Sequence, residues 1–87
     1  MAQEGKNRVN VKIYHEEYTM CSQASPEYMK RIAQYVDEKM RELGEKNARL
    51  GKSKIAVLAA VNLADELFRL RREMRELEAR LNRKNAK

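Results

Sequence analysis

The chain has 87 residues, 43% hydrophobic and 37% charged, which is one small domain at most. Its 19 basic and 13 acidic side chains leave a net charge of +6, a balance that raises a nucleic-acid hypothesis for a small helical protein. One cysteine excludes an internal disulfide, and one histidine beside it argues against a structural zinc site.

Met1 to Asn7 is polar, with nothing to bury and no apolar signal region, and is expected to be a flexible arm. From Arg8 a period of two takes over. Val9, Val11 and Ile13 alternate with Arg8, Asn10 and Lys12, then Tyr18, Met20 and Ser22 alternate with Thr19 and Cys21. This spacing predicts two short antiparallel strands, with the connection at His15-Glu16-Glu17. A two-stranded hairpin is not stable alone, so helices must cover it.

Ser25-Pro26-Glu27 carries three helix-start signals at once: a capping oxygen, a proline where no N–H is needed, and an acid at the positive end of the dipole. Met29, Ile32, Ala33, Val36, Met40 and Leu43 give the apolar face, and Gly44 is a stop signal, so the first helix is placed at 26–43. Glu45 to Lys52 reads as a polar connection.

Ser53 to Asn82 reads as one long helix of two unlike halves, with Ser53 as its cap, spanning roughly 45 Å at about 1.5 Å per residue. From Ile55 to Ala64 it is apolar on nearly every side and is expected to be buried on every side. Asn62, inside that run, either faces a rim of the core or makes a buried hydrogen bond. From Asp65 onward the apolar residues narrow to a stripe. Leu63, Leu67, Leu70, Met74, Leu77 and Leu81 are spaced 4, 3, 4, 3 and 4 apart, the alternation of a coiled-coil seam. These six are the expected oligomer interface. On this seam Glu66, Glu73 and Arg80 fall at g positions and Arg71 and Glu78 at e, and the charges select neither a parallel nor an antiparallel pairing. Asp65 and Arg69 stand at the i,i+4 spacing that supports an exposed helix.

The fold class is therefore α+β: a small ββαα head, 8–64, preceded by the arm at 1–7 and followed by a coiled-coil helix with a basic tail, 65–87. No catalytic set is legible. His15 falls in a hairpin turn, Cys21 has no activating neighbour, and three glycines write no phosphate-cradling loop. The expectation is a protein that is not an enzyme and holds no cofactor and no metal. No run of about twenty apolar residues occurs, so no membrane span is expected and the cytoplasm is the expected compartment.

Several segments resemble the ZapA family of bacterial cell-division proteins. They are Val9-Asn10-Val11-Lys12-Ile13-Tyr14 with Glu17-Tyr18-Thr19, Ala24-Ser25-Pro26-Glu27-Tyr28, Tyr35-Val36-Asp37-Glu38-Lys39-Met40, and the run from Ala56 to Leu67 that contains Ala59-Ala60-Val61-Asn62-Leu63-Ala64-Asp65-Glu66. The likeness covers about Arg8 to Glu73 in order and spacing. His15 departs from it, standing where family members usually carry glycine, and the last helix is short beside some members. The resemblance implies a non-enzymatic scaffold at the mid-cell division site that binds the tubulin-like GTPase FtsZ and cross-links or bundles its filaments. It also implies a homodimer through the head and a homotetramer through antiparallel helices. Exposed head charges are the candidate FtsZ contacts: Glu16 on the hairpin turn, and Glu45, Lys46 and Arg49 in the connection. The alternative is a basic helical nucleic-acid-binding module using Arg69, Arg71, Arg72, Arg75, Arg80, Arg83 and Lys84. The lack of an aromatic among the terminal basic residues argues against its gripping single strands.

Overall fold

The computed structural model describes residues 7–85. Two strands, β1 (Asn7–Ile13) and β2 (Glu16–Ser22), precede two helices, α1 (Pro26–Lys46) and α2 (Lys52–Asn85). The strands pair antiparallel from Asn7↔Ser22 to Ile13↔Glu16. The expected arm lies outside the described residues except for Asn7, which belongs to β1 and ties its side-chain amide to the Ala24 carbonyl at 2.9 Å.

The turn is tighter than expected. It consists of Tyr14 and His15 alone, and Glu16 opens β2. Both turn residues have positive φ, 49° and 73°, the backbone of the two-residue hairpin turn whose twist matches the strands. Neither is glycine, so tertiary contacts must hold the conformation. Asp37 on α1 accepts the Tyr14 N–H at 2.7 Å, and the Tyr14 and His15 rings lie 5.3 Å apart.

α1 starts as its sequence indicates. The Ser25 hydroxyl accepts the Tyr28 N–H at 3.1 Å, and Pro26 occupies the first turn. It does not stop at Gly44. The helix runs to Lys46 and is closed by Asn47, whose backbone N–H and side-chain amide both donate to the Leu43 carbonyl, at 3.0 and 2.9 Å. Gly44 serves packing instead of termination. The Tyr14 ring lies over it, with ring carbon Cζ 3.2 Å from where a Cβ would stand and the hydroxyl closer still.

α2 begins one residue before the expected cap, at Lys52, and ends at Asn85. Ser53 is inside it, and its first turn closes through the Ile55 N–H to the Gly51 carbonyl at 3.1 Å. At about 1.5 Å per residue its 34 residues span about 51 Å, nearly the whole 55 Å long axis of the molecule. The radius of gyration is 17.8 Å, against about 12 Å for a compact chain of this length. The far part of α2 therefore projects from the head.

The core lies in two adjoining clusters. Val9 and Val11 from β1 meet Met29 and Ala33 from α1, with Ile13, Met20 and Ala24 packed around them. Met40 meets Ile55 and Ala59 from α2, with Ile13, Tyr14, Val36, Leu43 and Leu58 at its edge. Ile13 belongs to both and links them. The expectation that Ile55 to Ala64 is buried all round fails within one chain. Ile55 and Ala59 are buried, but Val57 and Val61 are each 62% exposed. The reason is geometric: α1 covers one side of α2, and the single head has no element left for the other.

Candidate assembly surfaces

Three surfaces stand out: the exposed flanks of α2, a polar clasp where α2 leaves the head, and the charged ends of the head.

The residues of α2 facing α1 are Ile55, Leu58, Ala59, Asn62, Leu63 and Glu66, all buried or half-buried. Their offsets of 3, 4, 7, 8 and 11 from Ile55 define one helix face. Asn62 is half-buried, at the margin of this face. The predicted seam begins at the edge of that face, at half-buried Leu63. It then runs into the open through Leu67, Leu70, Met74, Leu77 and Leu81, the last four 54 to 62% exposed. One chain gives this stripe no partner among the described residues.

A second apolar line lies on the side of α2 turned away from α1. Val57, Val61, Ala64 and Phe68 are spaced 4, 3 and 4 apart, and all four are exposed, Phe68 at 63%. The sequence reading treated the residues beyond Asp65 as a single stripe and overlooked Phe68. Its spacing from Val57 and Val61 was the available signal. Arg71 sits 5.7 Å from the centre of its ring, a cation held over an aromatic face at the end of this line.

The clasp was also missed. Glu66, assigned to a g position of the seam, turns back to the head. It accepts the Tyr35 hydroxyl at 2.6 Å and pairs with Lys39, both on α1. Lys39 also stands 5.3 Å from the Tyr35 ring centre. Hydrogen bonding from Lys39, then from Tyr35, holds the Glu66 carboxyl below the usual carboxylate range. The same contacts with Glu66 raise Lys39 and Tyr35 above their ordinary values. Two features made it readable in principle: Tyr35 and Lys39 share one face of α1, and Glu66 shares the Ile55–Ala59–Asn62 face of α2.

The four head charges singled out from sequence occupy different settings. Glu16 lies at the start of β2, not on the turn. It pairs with Lys52 at the start of α2 and accepts the Tyr18 hydroxyl at 3.1 Å, while Lys52 stands 5.4 Å from the Tyr18 ring centre. Glu45 and Lys46 belong to the last turn of α1, because the helix outruns Gly44. Only Arg49 lies in the true connection, 47–51, where it is exposed. Asp65 and Arg69 form the expected i,i+4 pair at 2.9 Å.

His15 and Cys21 are both exposed. Among the described residues, no group of three or more His, Cys, Asp or Glu side chains could hold a metal ion, and no helix is long and apolar enough to cross a membrane.

The family model for the cell division protein ZapA matches residues 9–87. A cell division protein ZapA of Geobacillus thermodenitrificans is 43% identical over 83 residues, covering 95% of this chain and 91% of that one. That of Halalkalibacterium halodurans is 46% identical over 76 residues, covering 87% and 84%. Among solved structures, a ZapA mutant dimer from Geobacillus stearothermophilus superposes with a TM-score of 0.70 at 39% identity, covering 94% of this chain and 95% of that chain. The chain belongs to the ZapA family of cell division proteins.

Proposed function

We propose that this protein is a non-enzymatic scaffold of cell division that binds FtsZ and cross-links its filaments at the mid-cell ring in the cytoplasm. The observation that carries the reading is the exposure of two apolar lines on α2, both continuing beyond the head. Leaving large apolar side chains open along one helix is unfavourable unless another chain covers them. A head this small also gains from association. The ZapA mutant dimer that this chain resembles supports pairing as the first step of assembly.

In this assembly the chain has two working parts. The head, 8–64, pairs with a second head, and the Val57–Val61–Phe68 line is covered in that step. The outer helix and basic tail, 65–87, join pairs into antiparallel tetramers through Leu63, Leu67, Leu70, Met74, Leu77 and Leu81. The heads then point away from one another on a stiff spacer. Two separated sets of FtsZ contacts on one particle bridge filaments, and weak individual contacts add through multivalency. Glu16, Glu45, Lys46 and Arg49 are the candidate contacts, all four exposed. Glu16 presents its carboxylate while paired with Lys52. Co-sedimentation with polymerised FtsZ at physiological salt is the direct test: the protein enters the pellet and thickens the filaments, and its absence from the pellet overturns the reading.

A further inference from the structure

Among the described residues the sheet has two strands, and the outer edge of β1 is unpaired. Its hydrogen-bonding groups can be assigned residue by residue. In a hairpin closed by a two-residue turn, the flanking pair, here Ile13↔Glu16, exchanges both backbone bonds, and bonded pairs alternate from there. Ile13, Val11, Val9 and Asn7 therefore bond β2, while the N–H and C=O groups of Lys12, Asn10 and Arg8 point outward. The 2.8 Å bond between the Thr19 hydroxyl and the Asn10 side chain fits this phase, since side chains come closest across a pair that shares no backbone bonds. No backbone bond from another element reaches these three residues among the described residues.

A groove follows the edge. Asn10, Val11 and Lys12 form one wall and Lys30, Ala33, Gln34 and Asp37 of α1 the other. It continues at Lys12 and Asp37 toward His15 and Arg41. No β2 residue lines either part, so the groove lies on the open side of β1. Lys12 and Lys30 bring positive charge to it, with Arg8 further along the strand, while Arg41 and Asp37 pair with each other. Its acid, Asp37, is already engaged by the Tyr14 N–H and by Arg41. Glu17 faces Lys12 from β2, across the ladder from the open edge.

We infer that this edge is a docking site for an extended acidic peptide of a partner protein, which adds to β1 as a third strand. Main-chain bonds to Arg8, Asn10 and Lys12 supply the affinity of such strand addition, and side chains set its specificity. Acidic residues at alternate positions of the incoming strand stand beside Arg8 and Lys12, where opposite charges across a ladder are favourable. The same arithmetic disfavours a second copy. Two β1 edges paired antiparallel about Asn10 place Arg8 of one beside Lys12 of the other at both ends, and like charges directly opposite are destabilising.

The test is amide hydrogen exchange on the full chain with a synthetic decapeptide alternating Glu and Thr. The expected result is slowing by about tenfold or more at Arg8, Asn10 and Lys12. Val9 and Val11, already bonded to β2, change little. A Lys-Thr decapeptide and a version with proline at alternate positions should have no effect. Exposed-site substitutions K12E and K30E together should abolish the slowing while far-UV circular dichroism stays unchanged. Unchanged exchange with the acidic peptide overturns the inference, as does equal binding of the lysine or proline peptides. Protection of these amides that rises with protein concentration alone also overturns it, by assigning the edge to a second copy.

Discussion

The Tyr35 hydroxyl donates a 2.6 Å hydrogen bond to the Glu66 carboxylate, joining α1 to α2 across 31 residues of sequence. The Lys39 ammonium shares the same carboxylate. Glu66 is the last described residue of α2 that faces the head, since every described position from Leu67 onward is exposed. The clasp thus fastens α2 at the point where it becomes a free rod, and it helps set the direction in which the rod leaves.

A pH dependence follows from the direction of the shifts. The Glu66 carboxyl titrates below its ordinary range because Lys39 and Tyr35 stabilise the charged form. Its contribution is therefore present above the unfolded-state value of about 4.3 and is lost as pH falls through the lower folded value. Lys39 and Tyr35 are raised, so their contribution is present below their unfolded values and is lost as pH climbs through the higher folded ones. Glu66→Gln should lower Tm at pH 7 and flatten the acid limb of a Tm-against-pH curve. An unchanged acid limb would show that the clasp is energetically idle.

Gly44 and Tyr14 form a steric pair. Gly44→Ala places a Cβ against the Tyr14 hydroxyl, an overpacking that costs about 1–3 kcal/mol and opposes a gain of about 1 kcal/mol in helix propensity. The net expectation is a loss of about 1 kcal/mol. In a Tyr14→Phe background the hydroxyl is gone and the same substitution should become neutral or stabilising. Urea unfolding of the two single variants and the double variant measures this coupling directly.

His15 holds φ at 73° without being glycine, a conformation that costs an ordinary residue about 1–2 kcal/mol. His15→Gly should raise stability by about 1 kcal/mol, less the extra entropy that glycine loses on folding. Thermal unfolding gives the sign, and a lower Tm would mean that the His15 ring contributes more by packing on Tyr14 than its backbone costs.

Ile55 is fully buried and Phe68 largely exposed in the chain. Ile55→Ala should cost about 2–5 kcal/mol through lost burial and a residual cavity, a large part of the stability of any small domain. Phe68→Ser should act differently, through assembly. Its Tm should match the parent at low protein concentration and fall behind as concentration rises, because only an associated form covers the ring.

Leu77→Glu places a charge on the exposed stripe, far beyond the head. Sedimentation should show folded pairs and no tetramer, with FtsZ bundling reduced and helix content preserved. Persistence of the tetramer would move the outer contact off this stripe.

Much of the architecture was legible because it is local. The period of two from Arg8 to Ser22, the Ser25-Pro26 start of α1 and the seam spacing from Leu63 to Leu81 each express the backbone geometry of a single element. Residues joined through space were not legible in that way. Tyr14 and Asp37 are 23 positions apart, and Tyr35 and Glu66 are 31. Nothing in the neighbourhood of Gly44 announces that Tyr14 will lie over it, so a residue that resembles a helix stop became an interior contact. The turn shifted for the same reason, since Asp37 helps hold Tyr14 in a backbone conformation that its own side chain does not favour. By itself the sequence determined which elements form and which of their faces are apolar, because propensity and periodicity act over a few residues, while the family resemblance was carried by the particular residues of segments between Arg8 and Glu73. Only the tertiary structure decided which faces one head can cover: α1 shields one side of α2, and two apolar lines and the outer edge of β1 stay uncovered among the described residues.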